Sequence, residues 1–115
     1  MALNTVTSKT NITAGNNAIL YTCAHDKSHG KVDIDIVNAS TFSTVRVALS
    51  IKPIASLTPD DYIVPLLELD SSDKQVSLTG IVVGKDEHIY VFVDTGEVNI
   101  RLAGTEEANA FVGKA

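Results

Sequence analysis

The chain has 115 residues, of which 44% are hydrophobic and 20% are charged, and its formal net charge is −5. This length predicts one domain, because a chain of this size can bury roughly two-thirds of its extended surface in a core of its own. The 9 basic residues are scattered along the sequence, whereas nucleic acid and anionic membranes bind clustered positive charge. We therefore expect neither nucleic acid nor a membrane as a partner.

Targeting and redox signals are weak. No segment has the roughly 18 consecutive apolar residues of a transmembrane helix. The beginning of the chain, MALNTVTSKTNITAGNN, lacks the basic region followed by an apolar region that marks a secretory signal. The single cysteine, Cys23, cannot form an internal disulfide and has no CxxC partner for zinc. We expect a protein that folds in a reducing compartment.

An alternation of apolar and polar residues runs through most of the chain and predicts strands, because successive side chains on a strand face opposite sides. The first 16 residues are polar and rich in Thr and Asn, so we expect residues 1–16 to be an arm that is extended or loosely ordered unless a partner holds it. The predicted strands are AILYTC (18–23), KVDIDIVN (31–38), STVRVALSI (43–51), YIVPLLEL (62–69), QVSLTGIVV (75–83), EHIYVFVD (87–94) and EVNIRLAG (97–104).

Several positions have a more specific expectation. Pro65 lacks a backbone donor, so its segment is either an edge strand or two short pieces that meet at a bend. Gly80 indicates a bulge or a close approach of the backbone. The alternation predicts that Ile51 faces the core and that Tyr90 and Phe92 face outward.

The fold prediction is an all-β protein, an antiparallel β-sandwich of jelly-roll or immunoglobulin-like type with about seven strands. The sandwich domain spans residues 17–104. The polar arm at 1–16 precedes it, and a C-terminal tail at 105–115 follows.

Asp94, Thr95 and Gly96 follow an apolar run, as in the catalytic loop of an aspartic protease. Such an Asp works as half of a dyad that shares one proton. Here Glu97 would crowd the dyad with negative charge, and only 19 residues remain after the glycine. Asp and Gly are also the residues that tight hairpins prefer. We predict a hairpin turn joining the last two strands.

Asp33 and Asp35 share one face of a strand, as two metal-binding carboxylates would. A nucleotide-dependent transferase needs a larger α/β domain and a phosphate loop, so we interpret the pair as a solvated strand face, with Arg46 as a cross-strand partner.

Cys23, His25, Asp26 and His29 lie within CAHDKSHGK (23–31). The two histidines would share a face only on a helix, so we predict a connecting loop rather than a zinc site. We expect no catalytic residue, no metal site and no cofactor.

One order of strand and turn segments extends over residues 18–104. The segments are LYT (20–22), Gly30-Lys31, Val37-Asn38, VRVALSI (45–51), PDDYI (59–63), LTGIVV (78–83) and GKDEHIYVFVDTGEVNIRLAG (84–104). This pattern resembles a group of small virion structural proteins of tailed bacteriophages, in which the last tract is a β-hairpin with a variable turn. Residues 23–31 depart from the group, which more often has a Pro-x-Gly turn there.

The resemblance implies a β-sandwich that coats or cements a capsid, or forms part of a neck, tail or fibre, usually as a homo-oligomer. Our hypothesis is a non-enzymatic capsid decoration or cement protein, a trimer assembled in the host cytoplasm that binds the major capsid protein or other virion proteins. The expected partner interface comprises Leu3, Thr5, Val6, Asn11, Ile12, Tyr90, Phe92 and Phe111.

Two alternatives stay open. The first is a tail, neck or fibre component. The second is a carbohydrate-binding module, although the chain has no Trp and only 3 Tyr and 3 Phe to build an aromatic platform.

Overall fold

A computed structural model describes residues 3–71 and 74–108. Within these ranges the backbone forms eight strands, two short 3₁₀ turns and no α-helix. The strands are β1 (Leu3–Thr13), β2 (Asn16–Thr22), β3 (Lys27–Asn38), β4 (Phe42–Ser50), β5 (Tyr62–Asp70), β6 (Gln75–Gly84), β7 (His88–Thr95) and β8 (Glu97–Ala108), and the 3₁₀ turns are Ile54–Ser56 and Pro59–Asp61.

The strands form two four-stranded sheets. Sheet I has the order β1-β8-β3-β6, and sheet II has the order β2-β7-β4-β5. All neighbouring strands in both sheets run antiparallel. The all-β antiparallel prediction is confirmed, with eight strands in place of about seven.

The strand order follows a simple rule. β1 pairs with β8 and β3 with β6 in sheet I, while β2 pairs with β7 and β4 with β5 in sheet II. These are the pairs of one long hairpin that reverses at the β4–β5 connection, residues 51–61, and whose two arms are folded over together. Consecutive strands lie in different sheets except β4 and β5.

Both sheets contribute to one hydrophobic core. The apolar residues that alternate along β3, β7 and β8 face it, as the period-two pattern predicts. The largest fully buried side chains are Ile34, Ile36, Leu69, Ile89, Leu102, Val32, Val45, Val47, Val83, Val91, Val93 and Val98.

The predicted arm is a strand instead. β1 pairs with β8 along its whole length, from Leu3 opposite Glu107 to Thr13 opposite Glu97. The sequence hides this strand because polar residues also occupy its inward positions Ser8 and Thr10. Val6 and Ile12 are the only described apolar side chains that it contributes to the core. Residues 105–108, predicted as tail, continue β8.

The predicted hairpin at 94–96 is wrong. β7 ends at Thr95 in sheet II, and β8 begins at Glu97 in sheet I. A strand has two hydrogen-bonding edges, and those of β7 are filled by β2 and β4, while those of β8 are filled by β1 and β3. The three residues therefore form a corner between sheets, and neither strand has an edge left for the other.

Two local predictions are confirmed. Gly80 has a φ of +67° and lies where the β3–β6 register shifts between Val32 and Ile34, so it forms the predicted bulge. Pro65 lies in β5, which is the edge strand of sheet II.

Two other positions differ in exposure from what the alternation suggests. Ile51 is 65% exposed because β4 ends one residue before it. Tyr90 faces away from the core cluster, as predicted, yet it is only 3% exposed. Another part of the chain must therefore cover the outer face of sheet II.

Candidate functional site

The outer face of sheet II carries a row of four rings. Neighbouring ring centroids are 5.9 Å apart between Tyr62 and Phe92 and 6.4 Å apart between Phe92 and Tyr90. His88 continues the row at 5.6 Å from Tyr90. Cross-strand pairing of β4 with β5 and β7 brings these rings together, because Ala48 is opposite both Tyr62 and Tyr90.

Arg46 lies over this row. Its guanidinium carbon is 5.5 Å from the Tyr62 ring centroid and 4.9 Å from that of Phe92, which is within cation–π range. Its Nε and Nη2 donate to the two carboxylate oxygens of Asp94 at 2.7 and 2.9 Å. The hydrogen bond to Asp94 raises the pKa of Arg46 above its ordinary value. The Arg46 side chain is thus fixed from two directions.

A covering segment, residues 51–61, closes part of the same face. The Tyr90 hydroxyl donates to the backbone carbonyl of Lys52 at 2.7 Å, and the ammonium of Lys52 pairs with Asp61 at 3.1 Å. Asp61 also accepts hydrogen bonds from the backbone N–H and the hydroxyl of Thr58. The backbone N–H of Thr58, followed by Lys52, lowers the Asp61 pKa to about 2. This network explains how Tyr90 and Ala48 become buried outside the core.

The outer face of sheet I is different, since it holds an open groove of about 470 Å³. Polar side chains from all four strands line it, among them Lys9, Asn11, Asp35, Gln75, Asn99 and Arg101. Its volume lies within the range of small-ligand sites, which is roughly 300–1,000 Å³.

Two cations lie side by side in this groove. Lys9 on β1 is directly opposite Arg101 on β8, and Arg101 has Asp35 on its other side. Among the described residues, no side-chain hydrogen bond or ion pair involves Lys9 or Arg101. Asp35 instead accepts a hydrogen bond from Ser77 at 2.6 Å. Like charges directly opposite each other destabilise a sheet, and Asp35 on β3 is the one carboxylate among the residues that line the groove.

Amide groups flank the cations. Asn11 donates to the side-chain oxygens of Asn99 and Glu97, at 2.8 Å in each case. These bonds orient Asn99, whose own NH₂ group keeps its donors available. Gln75 lies on the opposite side of the groove, on β6.

The corner at 94–96 is held by buried polar groups. The backbone N–H of Glu97 donates to the hydroxyl of Ser43 at 3.1 Å, and that hydroxyl donates to the side-chain oxygen of Asn38 at 2.7 Å. Gly96 has a φ of +80°, and a Cβ there would collide with the backbone carbonyl of Phe42 and with Ser43. Only glycine fits this position, so the Asp-Thr-Gly tract has a structural reason for its glycine.

Asp94 is not arranged as a protease dyad. Both of its carboxylate oxygens are occupied by Arg46, and the side chain is 48% exposed. A shared-proton dyad needs a second carboxylate in close contact, and the group in contact here is a guanidinium.

Asp33 and Asp35 support the bulged edge of sheet I. Asp33 accepts a hydrogen bond from the backbone N–H of Gly80 at 2.8 Å, and Asp35 is bound to Ser77. The expected cross-strand partner was wrong, because Arg46 belongs to sheet II and pairs with Asp94.

The Cys-His tract does not converge on one point. Cys23 is fully buried, and burial raises the pKa of its thiol. His25 contacts Asp86 at 3.1 Å, while His29 is 3.7 Å from Glu107. The connection itself is a short turn, and β3 begins at Lys27. Within the described ranges, no group of three or more His, Cys, Asp or Glu side chains is placed to hold a metal ion.

The predicted interface residues whose side chains the structure describes do not form one surface. Thr5 and Asn11 are exposed on the outer face of sheet I, and Val6 packs against the core. Phe92 is half-buried on sheet II. Leu3 begins β1. Phe111 lies outside the described residues.

Ile12 and Tyr90 need correction as contact residues, because each side chain is only 3% exposed. Ile12 faces the core of this chain, and Tyr90 is under the covering segment. A partner would meet their neighbours instead.

Exposed apolar side chains are concentrated elsewhere, in residues 51–66. Ile51 and Ile54 belong to the covering segment, and Ile63 and Leu66 lie on edge strand β5. Local strand patterning could not reveal this surface, because the alternation predicted that Ile51 would be buried.

No protein-family model matches the chain, and no curated protein has a significant match to it. In the part of the chain that is described, no helix is long and apolar enough to span a membrane.

Proposed function

We propose that this chain is a jelly-roll β-sandwich that serves as a non-enzymatic structural protein of a virion, with the outside of a tailed-phage capsid as its site of attachment. The observation that carries the proposal is the strand order, β1-β8-β3-β6 and β2-β7-β4-β5. A long hairpin folded over into two four-stranded sheets is the jelly roll, an architecture found in viral capsid, lectin and cupin domains. The resemblance over residues 18–104 to small phage virion proteins supports the viral member of that set, apart from the hairpin that it implies for residues 84–104, which the strand order excludes.

The proposed assembly is a homo-oligomer, and a trimer is the form that we propose. Its proposed contact surface is the apolar stretch, by which we mean the exposed side chains of Ile51, Ile54, Ile63 and Leu66, since exposed apolar surface marks association sites. β5 contributes an open strand edge there, which Pro65 protects from indiscriminate pairing. A tail, neck or fibre component would use the same surface, so position on the particle is what separates the two assignments.

A cryo-EM map of the phage particle that encodes this chain tests the assignment. We expect copies at repeated positions on the outer surface of the shell. Copies confined to the tail, neck or fibre would replace decoration by the alternative. Absence of the chain from purified particles would overturn the virion proposal altogether.

Sedimentation velocity tests the contact surface on the purified protein. Leu66 is 57% exposed on β5, and Ile19 is 54% exposed on β2 at the opposite edge of the same sheet. Leu66→Asp should shift the oligomer toward monomer at micromolar concentration, and Ile19→Asp is the matched control that should not. A monomeric wild-type protein, or dissociation by Ile19→Asp alone, would contradict the assigned surface.

A further inference from the structure

We propose that the groove on the outer face of sheet I binds a saccharide that carries a carboxylate. The proposal rests on the groove itself and holds whether or not the chain is a virion protein. It concerns a different surface from the apolar stretch assigned to assembly.

The charge pattern indicates an anion. Lys9 and Arg101 are directly opposite on neighbouring antiparallel strands, where Cα atoms are about 4.5–5.5 Å apart. Their long side chains can therefore converge on one carboxylate, which a guanidinium binds with two parallel hydrogen bonds. The local pair of cations stands out in a chain whose net charge is −5. Asp35, the other neighbour of Arg101, accepts a hydrogen bond from Ser77, and the formal charges of the three charged side chains that line the groove, Lys9, Arg101 and Asp35, sum to +1.

The remaining groups suit sugar hydroxyls. Asn99 and Gln75 each offer both donors and acceptors, and both line the groove. Val37, which is 37% exposed between them, provides a small apolar surface for the C–H face of a sugar ring. β3 places Val37 opposite Asn99 on one side and Gln75 on the other. One row of the sheet therefore recognises hydroxyls, and the neighbouring row recognises the carboxylate.

Calorimetric titration with trigalacturonate is the direct test, with its fully methyl-esterified form as the matched neutral ligand. We expect the acid to bind at low salt and the ester to bind at least tenfold more weakly. Lys9→Gln and Arg101→Gln should each weaken binding of the acid about tenfold. Lys31→Gln is the control, because Lys31 lies on the same outer face and loses the same charge but does not line the groove.

Several results would overturn the proposal. Equal binding of acid and ester would show that the cation pair does not recognise the ligand, and an equal loss in Lys31→Gln would show only general charge attraction. No binding of trigalacturonate at millimolar concentration would also reject it. Equally tight binding of a Glu-rich peptide would reject the saccharide as the ligand class. Thermal unfolding of each variant confirms that the fold is intact.

Discussion

Arg46 and Arg101 lie on the outer faces of the two sheets, yet their surroundings are opposite. Arg46 on sheet II is stacked on two rings and paired with both oxygens of Asp94. Arg101 on sheet I lies between Lys9 and Asp35, its two cross-strand neighbours, and makes no side-chain hydrogen bond or ion pair with a described residue. The satisfied arginine stabilises the fold, whereas the unsatisfied one is available to a ligand. The difference separates a structural face from a candidate binding face, although both look equally polar in sequence.

The largest expected effect is at residues 94–96, the corner that connects sheet II to sheet I. Gly96→Ala should destabilise the protein by about 2–4 kcal/mol, because positive φ is strained and the new Cβ overpacks the corner. Gly15→Ala is the matched control, since Gly15 has nearly the same φ, +81°, with nothing within 4 Å of a Cβ. It should cost only about 1–2 kcal/mol. Urea unfolding measures both, and equal losses would remove the steric part of the argument.

Replacing the satisfied arginine sharpens the comparison directly. Arg46→Gln should lower the free energy of unfolding by about 1–2 kcal/mol, because it removes an ion pair and two ring contacts. This loss in the free energy of unfolding is modest because the Arg46 and Asp94 side chains are 33% and 48% exposed. Asp94→Asn keeps the ring contacts and should cost less. A loss in Asp94→Asn as large as that in Arg46→Gln would assign the whole effect to the ion pair.

The third effect concerns the covering segment, residues 51–61, on the outer face of sheet II. The pKa of Asp61 is lowered to about 2, so its carboxylate stabilises the fold above its unfolded pKa, near 4. That stability is lost as the pH falls from 4 through 2. Asp61→Asn should flatten this part of the acid-unfolding curve and reduce the near-UV circular dichroism of the tyrosines at neutral pH. An unchanged acid limb would contradict the role of Asp61 in closing the segment.

The inward side chains could be predicted from sequence, but their partners could not. In β3 and β8 the period-two pattern identifies the buried side chains, because each strand has one solvent-exposed face and one face toward the core. The β7–β8 connection shows the limit. Asp-Thr-Gly has the composition of a hairpin turn, and only the occupation of both edges of each strand excludes the pairing.

The candidate site was hidden for a related reason. Lys9 and Arg101 are separated by most of the chain, and nothing local places them opposite each other. An arm at residues 1–16, as the sequence predicts, would leave Lys9 outside the sheet, whereas Lys9 lies in β1. Tyr90 illustrates the same limit, because it is covered by a segment that begins nearly 40 residues earlier.

The smallest effect tests whether the cation pair is strained. Lys9 lies on edge strand β1, so Arg101 is its only cross-strand neighbour. Lys9→Gln should therefore raise the free energy of unfolding by about 0.2–0.5 kcal/mol at low ionic strength, since it relieves a like-charge pair. Lys31→Gln makes the same change in net charge next to Thr105 and Val82, which are uncharged, and should give no gain. Added salt should reduce the gain in Lys9→Gln, because screening weakens the repulsion that it removes. A loss of stability in Lys9→Gln relative to Lys31→Gln would mean that Lys9 supports the sheet, and the contrast with Arg46 would then disappear.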